Sequence, residues 1–363
     1  MYWGLTIFQS WKTYQLERRS FAMDNKTIVN NTTREADNGT DSSGELDFIS
    51  DGLTTGIVVN TFLILLIVGG NFLVIAAYVK NHRLRTGTYS LLVSLALSDL
   101  LVGGVAIPIR IYGSIKSWDV SVIFVLAYNA FDIFSAVASN LHLMAISFER
   151  FIAVSRPFYH QTLSVSPYAV ASMMSWTLGI VVASVHPANY LQNDSDISLK
   201  LRLLEVYSVA LFALCFLGPL TTITILNIGI FRIARVLIRR DPLQHGNMGQ
   251  GRLKKERKAA LTLLVMTGVF FIAWFPFFVV NMLYLYCITC LPSSINAQFV
   301  MVDIIKWLHF SNSAINPVIY AYRDIEMRRT FARLLGPLGK LCGLNQIEPE
   351  HTNTQVVIDM QTR

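Results

Sequence analysis

Residues 132–151 read DIFSAVASNLHLMAISFERF. The stretch is mostly apolar, yet it opens on a carboxylate, Asp132, and closes on Glu149, Arg150 and Phe151. Asp132, Ala136, Ser139, Leu143, Ile146 and Arg150 recur at steps of three or four, so in a helix they share one face. From Asp132 to Arg150 is about five turns, or ~27 Å. The hydrocarbon core of a bilayer is about 30 Å thick. One stripe thus carries an anion near one surface and a cation near the other, joined by an interior line. Ionisable groups at membrane depth are costly and usually functional.

The rest of the chain points to the same solvent. Of 363 residues, 53% are hydrophobic and 15% charged, whereas ordinary soluble domains carry about 25% charged residues. That balance excludes a soluble globular protein and a wholly disordered one. Seven segments are long and apolar enough to cross: Thr55–Val79, Tyr89–Tyr112, Val122–Val154, Pro167–His186, Leu203–Ile238, Ala259–Tyr286 and Phe299–Tyr322. Lipid gives backbone groups no partners, so these runs must be helices. The alternation of a barrel strand is absent. The expected fold class is an all-α membrane protein, a seven-transmembrane helix bundle.

Lys and Arg set its orientation. Lys80, Arg83 and Arg85 follow span one, Arg156 follows span three, and Arg323, Arg328 and Arg329 start the tail. A run from Arg232 to Lys258 joins spans five and six. The opposite loops hold only Arg110 and Lys116, then Lys200 and Arg202. The N-terminus is therefore expected outside and the tail inside. The net charge of +7 is a topology signal. The charges are scattered over loops without a binding fold, which argues against a nucleic-acid partner.

Sequons begin at Asn25, Asn30, Asn31 and Asn38, with another at Asn193 after span four; all lie on the predicted outside, as glycosylation needs. Residues 1–51 are expected to be a disordered, glycosylated extracellular N-terminus, and 338–363 a cytoplasmic tail. Cys287 and Cys290 form a Cys-x-x-Cys in the outer loop before span seven. An oxidising position favours a disulfide over two free thiols, and zinc lacks further ligands nearby. Cys215 lies mid-span. Cys342 is a candidate for palmitoylation beside Lys340, or an unmodified thiol.

Further marks recur in order along the spans. They are Gly70-Asn71, Leu95 to Asp99, Glu149-Arg150-Phe151, Trp176, Pro219, Phe270 with Trp274-Phe275-Pro276, and Asn316-Pro317 followed by Tyr320. On these motifs the chain resembles the rhodopsin-like (class A) G-protein-coupled receptors over residues 52–337. The resemblance implies a receptor domain ending in a short amphipathic eighth helix, about Asp324–Leu335. It implies a plasma-membrane protein, not an enzyme, with a heterotrimeric G protein, arrestin and a receptor kinase as partners.

Within that family the chain is most similar to biogenic-amine receptors. Asp132 stands where those receptors hold the ligand's ammonium, as a buried carboxylate needs a cation. The implied ligand site comprises Asp132, Ile133, Ala136, Leu211, Phe212, Cys215, Trp274, Phe277, Phe278, Asn281, Lys306, Trp307 and Phe310. Its aromatic faces suit an ammonium group. Leu211, Phe212 and Cys215 replace the serines with which catecholamine receptors hold ring hydroxyls. Lys306 is placed to pair with Asp132 or Asp303, or to meet a ligand carboxylate. Val125 replaces the cysteine that usually staples the loop after span four.

Asp99, Ser139, Asn312, Ser313 and Asn316 resemble the family's sodium pocket, with a plain polar network holding water as the alternative; no other cofactor is implied. Arg150 is expected to pair with Glu256 of span six and with Glu149. Phe270, Pro276, Pro317 and Tyr320 complete the switch, with Arg150, Pro157 and Phe158 meeting the G protein. Asn140 and Asn227 depart from the family's usual residues there. Rival readings are a receptor for a lipid, nucleoside, melatonin-like or peptide ligand, or an orphan with high basal activity. An opsin would need lysine where Phe310 stands. A transporter or channel would show paired repeats, and an enzyme a nucleophile–base pair; neither pattern is seen.

Overall fold

The computed structural model describes residues 40–191, 197–240, 267–337 and 339. Its described residues form helices: α1 (Thr40–Lys80), α2 (Gly87–Ile115), α3 (Val122–Ser155), α4 (Ser166–Leu191), α5 (197–240), α6 (Thr267–Tyr286), α7 (Ile295–Arg323) and α8 (Ile325–Leu335). No strand occurs among them. A seven-helix bundle with a short eighth helix is therefore present. The first helix starts at Thr40, inside the stretch expected to be disordered.

Six of the helices are apolar and long enough to cross a bilayer. The seventh has the length but carries Asp303, Lys306, Asn312, Ser313 and Asn316. All but Asp303 of these are buried, so the polarity of α7 faces the bundle and not lipid. Large apolar side chains such as Phe62, Leu65, Met173, Ile180, Leu214 and Ile225 instead lie on the outer surface. Lipid is the medium that accepts such a surface.

Prolines shape three helices, because a proline lacks the N–H that would bond the carbonyl four residues earlier. In α5, Pro219 leaves the Cys215 carbonyl without that donor, and residues Leu211–Leu217 widen into a π segment. Asn140 on α3 supplies the missing donor, its Nδ2 reaching the Cys215 oxygen at 3.4 Å. In α7, Pro317 frees the Ser313 carbonyl, and Asn71 on α1 donates to it at 3.1 Å. A Cβ on Gly70 would lie 2.9 Å from the Pro317 ring, so glycine lets α1 approach that kink. In α2 a π turn at Val102–Ala106 precedes Pro108, and the helix then runs on to Ile115.

The main core joins α1, α2, α3, α5, α6 and α7 through Val74, Leu92, Leu95, Leu143, Ile146, Phe216, Phe270 and Trp274. The short α8 lies against α1. Asp324 caps it, accepting from the backbone N–H of Glu326 and Met327 at 2.9 and 3.1 Å. Its inner face is Met327, Thr330 and Phe331, and Asn81 donates to Thr330 at 2.8 Å.

Candidate functional site

Asp132 on α3 faces Lys306 on α7. The Lys306 ammonium lies 2.5 Å from Asp132 Oδ2, and both side chains are at most 8% exposed. A second ion pair, Arg110–Asp303, links α2 to α7 one turn away. Arg110 was expected in an outer loop. Because α2 continues past Pro108, it is instead helical and buried. Its charge, and His309, lie within electrostatic range of Asp132. The site thus holds two carboxylates and two permanent cations, and they are already paired.

Aromatic rings floor this charge cluster. Lys306 Nζ sits 5.1 Å above the Phe277 ring and 5.9 Å from that of Phe310. His309 packs on Trp274 at 4.1 Å between centroids, and Trp274 meets Phe277 and Phe278 at 6.1 and 6.0 Å. Phe278 continues to Phe212 at 5.5 Å and Phe216 at 4.8 Å, and Phe216 to Phe270 at 6.0 Å. Ala136 and Leu211 pack into the same core. Asn281 is buried one turn beyond Phe278, Ile133 is half-buried beside Asp132, and Cys215 is half-buried on α5. Phe310 and Trp307 pack with Leu63, Ile67, Val102 and Ile107 of α1 and α2. Lys306 and His309 therefore separate them from the Trp274–Phe278 wall. His309 carries no mark of its own in the sequence, although it follows Lys306 by three residues on the same face.

Below lies a buried polar layer. Asp99 accepts hydrogen bonds from Ser139 and Ser313 hydroxyls at 3.2 and 2.7 Å, and from Asn316 Nδ2 at 2.8 Å. Asn312 is buried nearby. A second layer joins α2, α3 and α4. His142 Nδ1 donates to the Ala138 carbonyl at 2.7 Å, which leaves Nε2 to accept from the Ser94 hydroxyl, also at 2.7 Å. Trp176 donates its indole N–H to the same Ser94 oxygen at 3.0 Å. Only the packing of α4 reveals this chain.

At the far end, Arg150 Nε lies 3.2 Å from Glu149 Oε2. The other Glu149 oxygen accepts from Thr88 at 2.6 Å and meets His160 Nε2 at 2.8 Å. Glu256, expected to hold Arg150, lies outside the described residues. Pro157 opens the short helix Pro157–Thr162, on which Phe158 is 83% exposed. Asn227 donates to Thr267 at 2.7 Å, tying α5 to α6. Phe270 and Tyr320 are buried in the core, and Pro276 and Pro317 lie within α6 and α7. Cys287 and Cys290 are joined as a disulfide. Asn25, Asn30, Asn31, Asn38, Asn193 and Cys342 lie outside the described residues.

Residues 70–320 match the family model of the 7 transmembrane receptor (rhodopsin family). The chain belongs to this family. It is a G-protein-coupled receptor and not an enzyme. Its sequence is 32% identical to the histamine H2 receptor of Cavia porcellus over 307 residues, 82% of this chain and 83% of that one. The human histamine H2 receptor is also 32% identical, covering 82% of this chain and 84% of its own. The D(1B) dopamine receptor of Mus musculus is 28% identical over 86% of this chain and 74% of its own.

Proposed function

We propose that this receptor binds a small ligand with a protonated amine, which takes the Asp132 carboxylate between α3, α6 and α7 and displaces Lys306. The buried Asp132–Lys306 pair carries the reading. A buried ion pair contributes little net stability, because desolvation offsets its attraction. A ligand ammonium that takes the place of Lys306 keeps a cation on the Asp132 carboxylate. The relatives named for histamine and dopamine receptors support an amine. Phe277, Phe278 and Phe212 supply the apolar wall for the rest of the ligand.

Displacing Lys306 perturbs α7 beside His309, whose ring packs on Trp274 of α6. Binding so biases the packing of α6 against α7, a population shift between two arrangements. Pro276 and Pro317 are the flexible points. At the far end, Arg150 leaves Glu149 and, with Pro157 and Phe158, receives the G protein. In this reading the chain sits in the plasma membrane with its N-terminus outside and its tail inside, where arrestin and a receptor kinase act. Glu256 adds a second restraint on Arg150.

Asp99, Ser139, Ser313, Asn312 and Asn316 offer oxygen donors with a single carboxylate, the set a hard monovalent cation prefers. A sodium ion held there would neutralise the Asp99 charge.

The test is a second-messenger screen of amines on cells expressing the chain, repeated with Asp132→Asn at equal surface expression. An amine should act on the wild type, with potency lost in the variant. An unchanged response in the variant overturns the assignment.

A further inference from the structure

We infer that the ligand is a zwitterion of the amino-acid class: its ammonium takes Asp132, its acid group takes Lys306, and its side chain is apolar or aromatic. This rests on the amine site above and adds the other end of the ligand.

The first support is charge. Asp132, Asp303, Lys306 and Arg110 sum to zero and are paired two by two. A ligand that is only a cation frees Lys306 from Asp132 and leaves it without a counter-ion, because Arg110 holds Asp303. Stranding one member of a buried pair is among the costliest changes a protein interior can suffer. A ligand that brings its own anion opens the pair and closes both halves again. The charge of the site remains zero throughout.

The second support is the donor inventory. The indole N–H groups of Trp274 and Trp307 are buried and find no hydrogen-bond partner among the described residues, nor does His309 Nδ1. An indole N–H can only donate. Trp274 and His309 pack on each other and on Phe277, the ring beneath the Lys306 ammonium. An ammonium has no acceptor to offer the Trp274 indole N–H, whereas a carboxylate does. Lys306 has a flexible four-carbon stem and three donors, so it can follow an acid group away from Asp132.

The third support is the α5 wall. Leu211, Phe212 and Cys215 offer no side-chain hydroxyl to a ligand ring, and Phe277 and Phe278 face the same core. The α5 side of the site thereby suits an apolar or aromatic ligand side chain.

The test compares matched pairs on cells expressing the full chain: phenylalanine with phenethylamine, and tryptophan with tryptamine. N-acetylphenylalanine serves as the anion-only control. The zwitterion of a pair should be at least ~10-fold more potent than its amine, and the N-acetyl acid inactive. Lys306→Gln should abolish or reverse that preference, and Lys306→Arg, which keeps the cation, should retain it. Surface expression is measured for each variant. An amine that equals or exceeds its zwitterion on the wild type, with a ratio that Lys306→Gln leaves unchanged, overturns the inference. So does silence from every zwitterion. Loss of the amine response in Asp132→Asn then shows that the amine site itself survives; a response indifferent to Asp132→Asn sinks both.

Discussion

Replacing Lys306 by methionine leaves the apolar stem nearly intact and removes one charge from a buried pair. Both partners are at most 8% exposed, so solvent screens the remaining carboxylate poorly. Removing one member of such a pair costs about 3–5 kcal/mol. Asp132 can escape by taking up a proton, which for an ordinary aspartate at pH 7 costs about 4 kcal/mol and sets a ceiling near the same value. Asp132→Asn alone strands the Lys306 ammonium and should cost a similar amount. The double variant Asp132→Asn/Lys306→Met leaves neither charge and should fall within about 1 kcal/mol of the wild type, or above it. The Arg83–Glu326 contact makes the contrast: at 3.6 Å and with Arg83 79% exposed, its removal should cost at most about 1 kcal/mol. Thermal and denaturant unfolding of the purified receptor in detergent measures the cycle, and the coupling between the two sites is the quantity sought. Additive costs at Asp132 and Lys306, with no recovery in the double variant, would refute the buried pair.

Three other outcomes are expected. Ser94→Ala leaves both the Trp176 indole N–H and His142 Nε2 without their shared partner, so unfolding stability should fall by about 1–3 kcal/mol; an unchanged unfolding midpoint would dismiss the Ser94 link. Glu149→Gln removes the negative charge beside Arg150 and should raise ligand-free second-messenger output several-fold, whereas flat basal output would show that Glu149 does not restrain Arg150. With Asp99→Asn, ligand affinity should cease to depend on sodium concentration when potassium replaces sodium; a dependence equal to the wild type's would remove sodium from the Asp99 layer.

The bundle was legible because its signals are strong and local. Long apolar runs and the asymmetry of lysine and arginine depend on no tertiary detail, and Pro219 and Pro317 announce where helices must bend. Asp132, Lys306 and Asp99 were legible for a related reason, as charge within an apolar run is conspicuous. Arg110 was misread because it was counted with the outer-loop charges, although it lies beyond Pro108 within the predicted span. The π turn absorbs the irregularity, the helix continues, and the guanidinium turns inward to Asp303. His309 was missed because a histidine three residues past a lysine carries no signal until Trp274 packs on it. The roles of Asn140 and Asn71 were hidden too, since each answers a carbonyl freed by a proline on another helix. Such pairings depend on how helices meet, and linear order does not encode that directly. The helical start at Thr40 shows the converse, a polar segment drawn into helix by continuity with the span that follows.

The most direct measurement is a structure of the receptor with an activating ligand from the screen bound. The account predicts the ligand's ammonium nitrogen within about 3 Å of an Asp132 carboxylate oxygen, with the Lys306 ammonium moved off that carboxylate. A bound activator whose ammonium lies elsewhere, with the Asp132–Lys306 contact intact, would contradict it.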